Sequence, residues 1–374
     1  MKTTPLVKPI YIDPDTNRAV TTHSMIKTMR RCPRQFWYKY ILRLKRRVES
    51  KPLERGKWMH FLLEARYAAL MWDQAKAAGL HDEDEDQRPN WRTVHEQLCT
   101  RYYKLFDEEQ EKLGDLPTEC KNLMISYEWY YGPTEDDWVI LAVEQELEVI
   151  MPDGAIYRAK VDLIIRNALG TWIVDHKFKK GGEDSFLERL LDSQSGLYVW
   201  AGEELEIEDL QGFIWNYVTT EAIKPPVVLK NGSRLSKNSP STDYPHIVRY
   251  LKQHPEHKAL LLPLARQLKT QRYEPNATQN SPFFRRTIME RNDEMLDQVV
   301  KSAYRTHRRM HTYPWDDVDS IERVPDRSCG WMCSYSRLCS TELFGGNRDN
   351  VIRSEFKVAD PLDYYHDRPD GERD

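Results

Sequence analysis

Ile173-Val174-Asp175-His176-Lys177 is an apolar run that ends in two opposite charges one residue apart. Along an extended strand side chains alternate between faces, so Asp175 and Lys177 share one face and His176 takes the other. Thirteen positions upstream of Asp175, Asp162 sits in a second such run, Lys160-Val161-Asp162-Leu163-Ile164. Turn residues over 167–170 make the two runs antiparallel neighbours, so their carboxylates can converge. Two convergent carboxylates suit a hard divalent cation, which takes oxygen ligands. A lysine beside them can orient and deprotonate a water, or offset charge growing on a phosphate. An Asp-x-Lys triplet alone is equally a salt bridge on a strand edge. The apolar flanks sharpen the reading, because burying unpaired carboxylates is costly without a metal or a cation.

Around this pair the pattern reads as a meander over 139–150, 155–166 and 171–178, with a turn at Pro152-Asp153-Gly154. Helical spacing is predicted upstream over 21–27, 33–44, 56–78, 91–112 and 117–131, and downstream over 186–200, 257–271 and 291–311. A further strand is expected over 211–219. The stretch 225–245, rich in Pro, Ser, Asn and Lys, reads as a loop or mobile insertion. No internal repeat is present.

At 374 residues, 40% hydrophobic and 30% charged, the chain has the make-up of a globular protein able to bury a sizeable core. No apolar run approaches the roughly 20 residues that cross a bilayer. The start, Met1-Lys2-Thr3-Thr4-Pro5, lacks the apolar centre of a signal peptide. A cytoplasmic protein is expected, in which clustered cysteines bind metal more often than they form disulfides. The net charge of −4 does not announce a nucleic-acid partner. Positive charge is local instead, in Arg30, Arg31, Arg34, Lys39, Arg43, Lys45, Arg46 and Arg47, and again from Arg285 to Arg309. In Arg34-Gln35-Phe36-Trp37-Tyr38-Lys39-Tyr40 cations interleave with rings, as in single-strand binders, although Phe36, Trp37 and Tyr40 also follow a core stripe.

Four motifs in order resemble the PD-(D/E)XK nucleases, specifically the RecB-like exonucleases of the CRISPR-associated and phage-encoded iron–sulfur kind. They are Gly56-Lys57-Trp58-Met59-His60, then Asp162, then Asp175-His176-Lys177, then Gln194-Ser195-Gly196-Leu197-Tyr198. Ala159 stands where that family often has glycine. The resemblance implies a restriction-endonuclease-like α/β core, a mixed sheet flanked by helices. It implies that His60, Asp162, Asp175 and the backbone carbonyl of His176 ligate Mg²⁺ or Mn²⁺, and that Lys177 is the catalytic lysine. Gln194 and Tyr198, four apart on one helix face, would contact DNA or brace Lys177, with Arg34 as a further support. His307 and His311, also four apart, read as a solvated face.

The cysteines fall as one near the start and three near the end, Cys32 with Cys329, Cys333 and Cys339. That is no zinc-finger spacing. It resembles the iron–sulfur staple of the same nucleases, with one extra residue in the Cys329–Cys333 interval, and implies a structural 4Fe-4S cluster. Structural Zn²⁺ on the same thiolates is the alternative. Cys99 and Cys120 read as ordinary buried thiols.

The expected organisation is a helical N-terminal region (1–137), the nuclease core (138–310), a cluster-binding segment (311–345) and an acidic flexible tail (346–374). The expected function is a metal-dependent DNA exonuclease, favouring single strands or free ends, in recombination, repair or phage DNA metabolism. Its location would be the host cytoplasm if it is viral. A homo-oligomer or a recombination or replication partner protein is compatible with this, and no membrane is involved. The alternatives are a catalytically silent DNA-binding or assembly module of the same fold, and a zinc-stapled protein that is no nuclease.

Overall fold

A computed structural model of the chain describes residues 11–80, 88–132, 135, 137–179, 186–229, 234–236, 241–271, 283–330, 332–360 and 362. Its sheet is organised by β4 (Ile156–Asn167). Along one edge, β3 (Val139–Ile150) pairs antiparallel from Val139↔Arg166 to Ile150↔Ile156. The other edge is shared. There β1 (Val20–Thr22) pairs parallel with residues 156–158, and β5 (Gly170–Lys179) pairs antiparallel from Leu163↔Val174 to Asn167↔Gly170. Residues 159–162 pair with neither. At that gap β5 leaves β4 and continues beside β6 (Leu210–Thr219), parallel to it as far as Lys179↔Thr219. β7 (Phe284–Glu290) closes the sheet antiparallel to β6.

Alternation along the strands supplies a core on each face. Ile173, Phe213, Trp215 and Tyr217 face α1 (His23–Arg31) and α8 (Ser193–Glu204), meeting Met25, Ile26, Leu197 and Tyr198. Trp172, Val174, Ile214 and Val218 face α3 (Lys51–Ala77) and α6 (Leu116–Tyr131), meeting Met59, Leu62, Leu63 and Tyr127. Helices α4 (Trp91–Tyr102) and α5 (Asp107–Leu113) extend this second layer. This is the mixed sheet flanked by helices that the resemblance implied, with the meander at its centre. Among the described residues no helix is long and apolar enough to cross a membrane.

Several local expectations need correction. The N-terminal region is not wholly helical: β1 joins the main sheet, and β2 (Leu44–Arg46) forms a separate ribbon with β8 (Phe356–Val358). Strands of three residues are too short to carry a period. The helix expected over 186–200 breaks into α7 (Phe186–Leu191) and α8, because the Asp192 side chain accepts the Gln194 N–H at 2.8 Å and caps a new start. The tail is ordered to β8, since Asn347 caps the helix Arg348–Glu355 and Val351 and Phe356 are buried. Residues 363–374 lie outside those described. So do 230–233 and 237–240 of the expected insertion, whose end forms α9 (Tyr244–Gln253).

The two chain ends are tied by a buried charge cluster. Arg34 is 3% exposed and pairs with Glu342 of the helix Ser336–Leu343, and the Tyr38 hydroxyl donates to the same carboxylate. Arg323 and Arg348 approach it at 3.0 and 3.6 Å. Nearby, the Tyr335 hydroxyl donates to the Leu44 carbonyl at 2.6 Å, and Arg46 Nε donates to that of Ser334 at 2.8 Å. Removing one member of a buried pair leaves its partner charged and unpaired, which typically costs about 3–5 kcal/mol. Glu342→Ala should therefore lower unfolding stability by about that amount, measured by denaturant titration, and Glu342→Gln by less.

Candidate active site

Asp162 lies in the uncovered stretch of β4. Its Oδ2 accepts the backbone N–H of His176 at 2.6 Å, so a carboxylate bridges the strands where the ladder has stopped. From the α3 layer His60 places Nδ1 3.5 Å from the same oxygen. The Phe178 ring packs edge-on against the His60 imidazole, centroids 5.0 Å apart. On the far side of β4, Glu144 stands opposite Asp162, between the register pairs Val143↔Leu163 and Gln145↔Val161. Its backbone is left-handed, φ 52°, a conformation a glutamate holds only where its surroundings enforce it. One ligand atom each of His60, Glu144 and Asp162 lies within 4.8 Å of the other two. Lys160 Nζ reaches Glu144 Oε2 at 3.0 Å.

Asp175 occupies the other side of the parting. Its Oδ1 accepts from Gln194 Nε2 at 2.7 Å, while Lys177 Nζ sits 2.7 Å from Oδ2 and donates to Gln194 Oε1 at 3.0 Å. The three side chains close a ring, with the ammonium 5.1 Å from the centroid of the Trp215 ring. Tyr198 is buried one turn on, against Phe213. His176 faces the α3 layer, as alternation requires. Its ring stacks on Tyr67, and its Nδ1 accepts from Asn216 Nδ2 at 2.7 Å. Behind it Glu135 is enclosed by Arg66, Arg286 and the Tyr67 hydroxyl.

Burial, followed by Asp175 and Glu144, pushes the Asp162 carboxyl well above the ordinary carboxylate range. Burial also raises Asp175, against the pull of Lys177. Burial, with Lys177 and Lys160 close by, lowers His60 to about 3, so its imidazole is neutral with a lone pair to give. Crowded carboxylates that resist ionising beside a neutral imidazole are a donor set for a divalent cation. The residues present fit Mg²⁺ or Mn²⁺.

Glu144 is absent from the sequence reading, yet a signal existed. Folding the hairpin about Asp153-Gly154 sets residue 144 against residue 162. Arg34, expected as a DNA contact, is not brought to this site: its guanidinium is held by Glu342, by the Val318 carbonyl at 2.7 Å and over the Trp37 ring. His307 is no solvated face either. It is buried, bonded through Nδ1 to Thr21 Oγ1 at 2.7 Å and through Nε2 to Asp153 Oδ2 at 2.9 Å. All six cysteines are free. Cys333 is raised first by its burial, and the nearby Cys329 and Cys32 add to the shift, so thiols from both chain ends share one neighbourhood. Cys339 packs with Cys333 against the same core.

The profile of the PD-(D/E)XK nuclease superfamily matches residues 21–340, and the chain belongs to that superfamily. A search of curated proteins finds no match. Membership makes the protein a metal-dependent nuclease in the coarse sense, within a superfamily whose members generally use Mg²⁺ or Mn²⁺.

The charge crowding has a measurable signature. A carboxyl raised above its unfolded value stabilises the fold while it stays protonated, and that contribution is lost as pH rises through the folded value. The metal-free protein should thus lose stability as pH climbs from the ordinary carboxylate range toward neutrality. In thermal melts Asp162→Asn should flatten this dependence and raise the midpoint at neutral pH. Added Mn²⁺ should stabilise the parent and leave the variant unmoved. Gln194→Ala should keep the fold and lower activity or metal affinity by about 10–100-fold, the usual cost of losing an outer partner.

Proposed function

We propose that the protein is a DNA exonuclease that works from free ends, prefers single strands, and serves recombination, repair or phage DNA metabolism. The observation that supports its core, metal-dependent cleavage, is the placing of Asp162 and Asp175 on either side of the parting of β4 from β5, with Lys177 ion-paired to the second. The preference for free ends and single strands is what the resemblance implies.

His60, Asp162, Asp175 and the main-chain carbonyl of His176 would hold Mg²⁺ or Mn²⁺, with Glu144 in reach of the first two. When bound, such an ion polarises a phosphoryl oxygen and makes a water more acidic. The chain's own residues do the rest. Asp175 and Gln194 hold the Lys177 side chain between them. As the ammonium it orients the attacking water and offsets charge on the phosphate oxygens, and it takes up the water's proton only after passing one of its own to Asp175. His60 stays neutral and so remains a donor. Gln194 in turn is positioned by the Asp192 cap of α8.

For the cysteine end, the reading is a 4Fe-4S cluster on Cys32, Cys329, Cys333 and Cys339, with Zn²⁺ as the rival. It is supported by a donor set of four free thiols and by Arg31, which bonds Ser328 Oγ at 2.6 Å beside them. Its part would be structural, adding to the tie made by Glu342. Protein purified without oxygen should be brown, with a broad visible band. Colourless protein holding stoichiometric zinc would remove the cluster from the proposal.

The deciding assay is degradation of end-labelled linear single-stranded DNA with Mn²⁺. The parent should digest it, and Lys177→Ala should be slower by about 10²–10⁴-fold, the range of a lost general acid–base group. Circular single strands should resist. Equal cutting of circles would make the enzyme an endonuclease, and bound but uncut linear DNA would favour a silent binding module.

A further inference from the structure

Beside the proposed site, on the neighbouring face of α3, is a cavity of about 270 Å³ between α3, α4, α5 and the β2–β8 ribbon. Lys57, Trp58 and Phe61 line it, so the His60 that faces Asp162 lies within one helical turn of its wall. The lower walls are apolar, from Trp58, Phe61, Leu98, Tyr102 and Leu105. Next in sequence to the lining residues Leu105 and Tyr102, Phe106 and Tyr103 are 80% and 65% exposed.

The rim is cationic, with six lysines and arginines against three glutamates. Two of the glutamates are engaged: Glu54 with Lys57 at 3.1 Å, and Glu109 with the Phe106 N–H at 3.1 Å. Arg46 is likewise held, by Ser334 and Glu355. The ribbon's other cations are placed differently. Lys45 and Lys357 are direct cross-strand partners, and Arg47, just past β2, lines the same cavity. None of these three forms an ion pair with a described residue. Like charges set directly opposite destabilise a strand pair, so the ribbon keeps a repulsion that an anion between them would relieve.

We propose that this cavity binds one unpaired nucleotide of the substrate strand next to the cleaved phosphodiester. The Lys45–Lys357 pair and Arg47 would take its phosphate and the aromatic walls its base. The inference rests on the nuclease reading and deepens it. A space of this volume holds a single nucleotide and shuts out a duplex, which makes the preference for single strands a property of these walls. Stacking plus backbone cations is the usual chemistry of such sites.

The test uses the whole 374-residue chain carrying Lys177→Ala, whose slowed cutting leaves time to read binding, and the anisotropy of a labelled oligothymidine against a duplex hairpin of equal length. Lys45→Glu, and separately Lys357→Glu, turns the cross-strand repulsion into an ion pair, so each should melt no lower than the parent. Each should nonetheless bind the single strand at least tenfold more weakly, with a shallower salt dependence, each lost phosphate contact taking about 0.7 off the slope. Unchanged affinity and slope in both variants would overturn the proposal, as would equal parental affinity for single strand and hairpin. Cleavage by the Lys177 protein is scored separately. Weakened binding by the variants without any cleavage would sink the nuclease reading and leave the cavity standing.

Discussion

The structure turns on a place where two strands stop pairing. β4 and β5 share hydrogen bonds only up to Leu163 and Val174, after which one strand stays with β1 and β3 and the other with β6. An open ladder inside a sheet leaves backbone groups unpaired, which a buried site cannot tolerate. Asp162 answers that demand by accepting the His176 N–H, and the same carboxylate is thereby fixed beside β5. The strain of the arrangement also shows at Glu144, forced into a left-handed backbone directly across β4. The fold gap and the cluster of acids are one feature, and the charge it concentrates is what a divalent cation would neutralise.

Around this parting the two layers have separate duties. The α8 side holds Asp175, Lys177 and Gln194 in a closed ring. The α3 side brings His60 and, behind His176, a fully enclosed Arg66–Glu135–Arg286 group. Such a buried charged network is rigid because each member is paired, and Asn216 links it to the residue between Asp175 and Lys177. The chain ends add a third layer of support, through Glu342 and the β2–β8 ribbon.

How much of this was legible in the sequence depended on period and spacing. The meander and the face shared by Asp175 and Lys177 followed from the strand period, whereas the place of Gln194 beside them came from the resemblance to the nuclease motifs. Glu144 did not, because nothing in Glu144-Gln145-Glu146 singles out one acid until a register is set. Arg34 misled for a related reason. An arginine among aromatic residues looks the same whether it awaits a phosphate or is buried against a glutamate 308 positions away. β7 was missed because Arg285, Arg286 and Thr287 interrupt its apolar pattern, and Arg286 is buried only because Glu135 meets it. Contacts set by distant partners leave no local trace.

That distance bears on how the protein is made. The six strands of the main sheet, and with them every carboxylate of the parting, are present once residue 290 has been synthesised. The ribbon is not, because β2 waits for β8 at residues 356–358. At usual elongation rates the interval is on the order of ten seconds. During it a ribosome-bound chain can have its acids in place, with Lys45 and Arg47 already made, yet lack Lys357 and the strand that pins them beside those acids. The wall beside the site is therefore set only after the acids are.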